Sequence, residues 1–190
     1  MAELVYAAIT SLDGFVTDAQ GGFEWAAPAD DLHAYVNDRE RTVGTYLYGR
    51  RMYDVMRFWE TADQQDGLTD VARDYTRVWQ GADKVVYSRT LERIETGRTR
   101  LEREFDPVAV RALVDAAERD VSVGGPTLAA EALRAGIVDR VHQYLHPVVV
   151  GGGTPFLPHG VRLDLELVDV GRFDSGVARL DYRVRRQPQA

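Results

Sequence analysis

Twice in this chain a β-branched or aromatic strand runs into a glycine corner and gives way to a helix. One instance is Tyr46-Leu47-Tyr48-Gly49-Arg50-Arg51, the other Val121-Ser122-Val123-Gly124-Gly125-Pro126-Thr127. Strands that alternate with helices in this way pair into a mostly parallel sheet. Each corner also sets bare backbone N–H groups and a positive helix end at the sheet's carboxyl edge, where phosphates bind. A third such edge follows Lys84-Val85-Val86-Tyr87 and carries Ser88-Arg89. Three edges in one domain make a cradle for a long, multiply phosphorylated cofactor.

The 190 residues, 45% of them hydrophobic, suffice for one globular domain with a real core. The absence of cysteine excludes disulfide frameworks, thiolate metal sites and cysteine nucleophiles. No apolar run approaches the roughly 20 residues that span a bilayer. Met1-Ala2-Glu3-Leu4-Val5-Tyr6 enters a strand with no basic stretch, so no signal peptide is visible and a soluble cytoplasmic protein is expected. A net charge of −7 counts against broad nucleic-acid binding but leaves room for a phosphorylated small molecule in an arginine pocket. Lys84 is the sole lysine, a poor candidate for Schiff-base or general-base chemistry.

The periodicity predicts strands at 3–10, 44–48, 83–87, 98–101 and 120–123. It predicts helices at 29–41, from Gly49 to near Phe58, at 68–80, from Pro107 to about Arg119, and at 126–135 with Gly136 as a left-handed cap. Pro28 is placed in the first turn of the helix at 29–41. Val138 to Val150 reads as one long β-rich stretch, followed by antiparallel strands at 162–173 and 177–185 around the turn Phe173 to Val177. A single domain over 1–186 with a loose tail at 187–190 is expected.

An adenine dinucleotide laid over these edges needs amides for its pyrophosphate and guanidinium groups for a 2′-phosphate. Arg89 is therefore a candidate for choosing NADP over NAD, although an ordinary surface arginine fits equally well. Asp30 and Asp31 are the acid–base candidates. In a first helical turn such residues more often complement the helix dipole, but an apolar pocket would raise the pKa of either. Asp13 reads as a turn former. His142 and His146 fall in a strand, where four residues span roughly 13 Å, too far for one metal ion.

The order of motifs resembles the dihydrofolate-reductase-like superfamily. The nearest branch groups with the C-terminal reductase domain of the bacterial riboflavin-biosynthesis deaminase/reductase. The landmarks are Ala7-Ala8-Ile9-Thr10-Ser11-Leu12-Asp13-Gly14, Trp25, Tyr48-Gly49-Arg50-Arg51-Met52-Tyr53 and Val86-Tyr87-Ser88-Arg89-Thr90-Leu91. They continue with Val123-Gly124-Gly125-Pro126 and His146-Pro147 through Thr154-Pro155-Phe156. The resemblance implies a three-layer α/β/α dihydrofolate reductase-like fold, its central sheet mostly parallel with antiparallel C-terminal strands, and NADPH as hydride donor. It implies Ala8 and Thr10 beside the nicotinamide, and Gly49, Arg50 and Arg51 on phosphate. Ser88 and Arg89 would meet the 2′-phosphate, and Val123, Gly124, Gly125, Pro126, Thr127 and Leu128 would wrap the pyrophosphate. Asp30 falls where the superfamily keeps its substrate-binding carboxylate, with Trp25 beside it. The chain departs from the pattern at Met52, where threonine is usual, at Ala7, where the riboflavin branch carries lysine, and at Val123, where it favours glutamate.

The resulting expectation is an NADPH-dependent reductase of a small pterin- or ribosylaminopyrimidine-like heterocycle. The alternative is a module of the same fold that binds NADPH or a protein partner without catalysis. The apolar alternation of Val161, Leu163, Leu165 and Leu167 points to a homodimer through the C-terminal strands.

Overall fold

Apolar β-branched runs, buried on both faces, form the middle of a single large sheet, as parallel strands covered by helices require. The computed structural model describes residues 1–185; the expected tail at 187–190 lies outside the described residues. In chain order the elements begin with β1 (Leu4–Ser11), β2 (Phe15–Thr17), α1 (Asp30–Glu40), β3 (Val43–Gly49) and α2 (Arg50–Met56). There follow α3 (Asp70–Gly81), β4 (Asp83–Tyr87), β5 (Thr99–Glu102), α4 (Pro107–Ala116) and β6 (Asp120–Gly124). The chain ends with α5 (Pro126–Arg134), β7 (Arg140–His146), β8 (Thr154–Pro155), β9 (Leu165–Arg172) and β10 (Ala178–Val184).

The sheet order is β5-β4-β3-β6-β1-β7-β10-β9, with β2 and β8 forming a separate short pair. Neighbours from β5 through β7 run parallel, and β10 is antiparallel to both β7 and β9. Helices cover both faces. On one, Val110 and Val114 of α4 and Leu128, Ala129, Ala132 and Leu133 of α5 close over Leu4, Tyr6, Leu47, Val121, Val123 and Val141. On the other, Tyr53 and Met56 of α2 and Trp79 of α3 pack on Tyr46, Tyr48 and Val86, while Leu32 of α1 packs near Tyr144. This is the expected α/β/α architecture.

Local chemistry sets the boundaries. Thr69 caps α3 by accepting from the Ala72 amide at 3.3 Å, and Asp106 caps α4 by accepting from Val108 at 2.9 Å, each worth about 1 kcal/mol. Gly136 adopts φ 66° after α5, the left-handed cap the sequence predicts. Three readings need correction. Ala29 is the residue that precedes α1, so Pro28 stands outside the helix. The stretch from Val138 does not continue as a strand to Val150. It stops at His146, where Pro147 has no N–H to give and the Val150 amide turns instead to Asp13. The strand expected from 162 starts at Leu165, because Leu163 packs into the main core. Among the described residues no helix is long and apolar enough to cross a membrane.

Candidate functional site

The loops after β3, β4 and β6 lie side by side because their strands do, and this collects the glycine corners on one edge. At Gly49 the backbone is extended, and an added Cβ would meet only Leu128, at 3.8 Å. That corner is open on its outer side. The Gly124-Gly125 corner is closed from within. A Cβ on Gly124 would fall 2.7 Å from the Tyr48 ring, and Gly125 combines φ 88° with a contact of 3.0 Å to Met52 Cβ. These two glycines are therefore required by packing and turn geometry whatever binds outside them. Val123 and Leu128 are buried in the core, so only their backbone could touch a ligand, whereas Thr127 is exposed.

At the β4 edge, Ser88 is buried and its hydroxyl accepts the amides of Thr90 and Leu91 at 3.3 and 3.0 Å. Arg103 donates to the carbonyls of Ser88 and Leu91 at 3.1 and 2.7 Å and braces the same turn. The turn so fixed presents Arg89 to solvent with no hydrogen bond or ion pair to any described residue. Arg51 is likewise exposed and unpaired among the described residues, whereas Arg50 is held by Asp54 at 2.8 Å. Between α2 and the 90–95 turn lies a hollow of about 270 Å³ walled by Arg50, Arg57 and Arg93 together with Glu92 and Glu95, and Glu95 already pairs with Arg57 and Arg93. A larger hollow of about 330 Å³ adjoins it but is lined by Asp54, Glu60 and Glu95 against the single cation Arg57, a poor host for phosphate.

Across the sheet, α1 presents the acid candidates. Asp31 is committed: its carboxylate accepts from Leu32 at 2.7 Å and from the Asp174 amide at 3.0 Å, tying α1 to the terminal hairpin. Asp30 is exposed at the first position of the helix. Half-buried Trp25 sits in a 3-10 turn, Glu24–Ala26, that overlies the end of β1. Ala8 belongs to the α4/α5 side of the sheet, and Thr10 is fully buried with its hydroxyl accepting from Gln143 at 3.0 Å.

A sequence model of the RibD C-terminal domain matches residues 2–178. The chain belongs to that family. The Bacillus subtilis protein YyaP is 27% identical over 174 residues, covering 90% of this chain and 89% of YyaP. Riboflavin biosynthesis protein RibD of Mycobacterium tuberculosis is 32% identical over 151 residues, 75% of this chain, and the match spans only 41% of RibD. Among solved structures, a Shewanella sp. PV-4 protein superposes with a TM-score of 0.72 at 17% identity, covering 97% of this chain and 99% of its own. The Thermotoga maritima diaminohydroxyphosphoribosylaminopyrimidine deaminase/reductase gives 0.66 at 16% identity, covering 97% of this chain and 57% of the other. Both share the RibD-like fold.

For a RibD C-terminal domain, several site residues carry no strong sequence signal. Arg103 is one of many arginines, and only the adjacency of β4 and β5 brings it under the Ser88 turn. Asp13 is more than a turn former, since its carboxylate accepts the amides of Val150 and Gly151 and locks the glycine-rich loop to the end of β1. Met52, the departure from threonine, fills the space under Gly124 and Gly125. His142 and His146 do share one strand, and the described residues contain no cluster able to hold a metal ion.

Proposed function

We propose that this RibD C-terminal domain is an NADPH-dependent reductase of a small heterocycle, pterin- or ribosylaminopyrimidine-like. The observation that carries this reading is the pair of guanidinium groups without a partner among the described residues, Arg51 and Arg89, beside the open Gly49 corner in a domain of a reductase family. The residues fit the group. Arg89 on its braced turn would take the 2′-phosphate, Arg51 beside the Gly49 corner a further phosphate, and the 124–127 corner the pyrophosphate through its backbone. When bound, NADPH supplies the hydride. Ala8 and Thr10, in the carboxyl half of β1, would fix the back wall rather than touch the substrate with polar groups. Asp30, free where Asp31 is engaged, is the acid we assign to orient the substrate and hold its proton, with Trp25 excluding water from the same end. The working form is a cytoplasmic homodimer.

The test is a titration of the protein with NADPH and with NADH, followed by loss of NADPH absorbance in the presence of a ribosylaminopyrimidine and a dihydropterin. Tighter binding of NADPH and turnover of one substrate are expected. Failure to bind NADPH would remove the proposal, and binding with no turnover on either substrate would leave the non-catalytic module.

A further inference from the structure

Beside Asp30's helix, two buried polar atoms have no partner. They are Nε2 of His146 and Nε1 of Trp25, and the two rings meet edge-on with centroids 6.4 Å apart. His146 is only 8% exposed. It ends β7 directly opposite Ser11 of β1, so it lies at the same carboxyl edge as the proposed cleft. Burial lowers its pKa while the Trp25 backbone carbonyl opposes that shift, so the imidazole is neutral at physiological pH with one N–H on the carbonyl. Since Nε2 is the unpartnered atom, Nδ1 carries the proton and Nε2 offers a lone pair. Trp25 Nε1 can only donate. A lone acceptor and a lone donor thus sit on two rings in edge contact, each costing about 1–3 kcal/mol while it stays unmet.

We propose that Trp25 and His146 form a specificity subsite for a cyclic amide edge, with His146 Nε2 accepting the ring N–H and Trp25 Nε1 donating to the adjacent carbonyl. An amide edge presents one donor next to one acceptor, the complement of this pair, and a carbonyl edge without N–H leaves His146 unmet. Entry requires the Glu24–Ala26 turn to lift. The turn's backbone–backbone bonds are its own, Ala26 to Phe23 at 2.9 Å and Ala27 to Glu24 at 3.2 Å, and the Trp25 carbonyl's bond from His146 is the tie about which it would pivot without opening the sheet. The subsite rests on the reductase reading for its place in the cleft, but its recognition chemistry does not depend on hydride transfer.

The experiment is NMR titration of the whole chain with uracil, which has ring N–H groups beside carbonyls, and with 1,3-dimethyluracil, which has the carbonyls alone. Uracil should move the Trp25 indole and His146 imidazole resonances together, and dimethyluracil should move neither. Trp25→Phe, which keeps an aromatic ring and removes the N–H, and His146→Leu should each weaken uracil binding about tenfold, as for a lost buried hydrogen bond. Equal response to both probes, shifts confined to other residues, or unchanged uracil binding by Trp25→Phe would overturn the subsite. If uracil moves both resonances in a protein that neither binds nor oxidises NADPH, the subsite stands and the reductase proposal falls.

Discussion

Asp13 reaches across the end of the sheet to accept the Gly151 amide at 2.8 Å, joining two segments 138 residues apart in sequence. The Val150 amide adds a second bond at 3.2 Å. The Ser11 hydroxyl first, and these amides after it, hold the Asp13 carboxyl below the ordinary carboxylate range. A depressed carboxylate contributes its stabilisation above its unfolded pKa and loses it as pH falls through the folded one. Protection of the Val150 and Gly151 amides, relative to their intrinsic exchange rate at each pH, should therefore fall on acidification below the usual carboxylate pKa. Asp13→Ala should show this loss of protection already at neutral pH while the amides of β1 and β7 stay protected. Unchanged exchange at Gly151 in the variant would mean the loop is held by other contacts.

The two glycine corners separate fold from ligand. A methyl at Gly124 collides with the Tyr48 ring, so Gly124→Ala should destabilise by about 1–3 kcal/mol, as overpacking does. At Gly49 the methyl meets only Leu128 at an ordinary distance, and Gly49→Ala should melt like the parent while binding NADPH more weakly. Thermal unfolding beside an NADPH titration decides it. A Gly49→Ala protein that binds NADPH with the parent's affinity would place the phosphates elsewhere.

The proposed cofactor preference rests on Arg89. Its side chain has no described partner, so removing it disturbs nothing in the fold. Arg89→Ala should cost about 1.5–3 kcal/mol for NADPH, the range for a hydrogen bond to a charged group, and little for NADH. Equal losses for the two cofactors would show that Arg89 does not read the 2′-phosphate.

Much of this architecture is legible in the chain because the signals are local. Gly136 ends α5, Pro107 and Asp106 open α4, and the β-branched runs of β1, β3, β4 and β6 announce a parallel sheet. What sequence alone leaves open depends on neighbours far along the chain. Nothing local says that Gly124 faces Tyr48, so a corner read as a phosphate cradle is first a packing requirement. Asp30 and Asp31 are equivalent on paper, and the contacts to Asp31 from the Leu32 amide and from the Asp174 amide of the distant hairpin distinguish them. His146 draws notice in the sequence only as a rejected metal ligand and part of a family landmark, and its contact with Trp25 appears only once the two are folded together.

Lys84 tests the core. It is 1% exposed, its Nζ donates to the Trp79 carbonyl at 3.1 Å and lies 4.0 Å above the Trp79 ring, and burial lowers its pKa to about 8. The unfolded chain takes up this proton near the ordinary lysine value, the folded one only near pH 8. Stability is therefore greatest above the unfolded pKa, and falls as pH drops from there to about 8. Between pH 7 and 10 the protein should gain on the order of 1–3 kcal/mol from this group. Lys84→Met should flatten that rise and be at least as stable as the parent at pH 7. Denaturant unfolding of both proteins at the two pH values checks it, and parallel pH profiles would exclude Lys84 as the cause.

We expect copies of the chain to meet through the terminal hairpin. β9 is the last strand of the sheet and pairs only with β10. Leu167 and Val170, paired with Tyr182 and Leu180, lie on the face shared with α4 and α5, yet they are 53% and 59% exposed because neither helix extends that far. Opposite the step from Asp181 to Tyr182 the register slips and leaves Val168 unpaired, adding a further apolar side chain to the exposed surface. An open edge strand with an uncovered apolar face invites a partner, and two-fold self-pairing is the commonest solution. The Arg89 turn follows β4, near the opposite edge of the sheet, so a dimer through this face would keep the two proposed cofactor clefts pointing away from its axis. Light scattering at micromolar concentration should report a dimer. Val170→Asp should convert it to a folded monomer, because the charge enters the contact face and no buried contact. A monomeric parent, or a Val170→Asp protein that remains dimeric, would rule out this face.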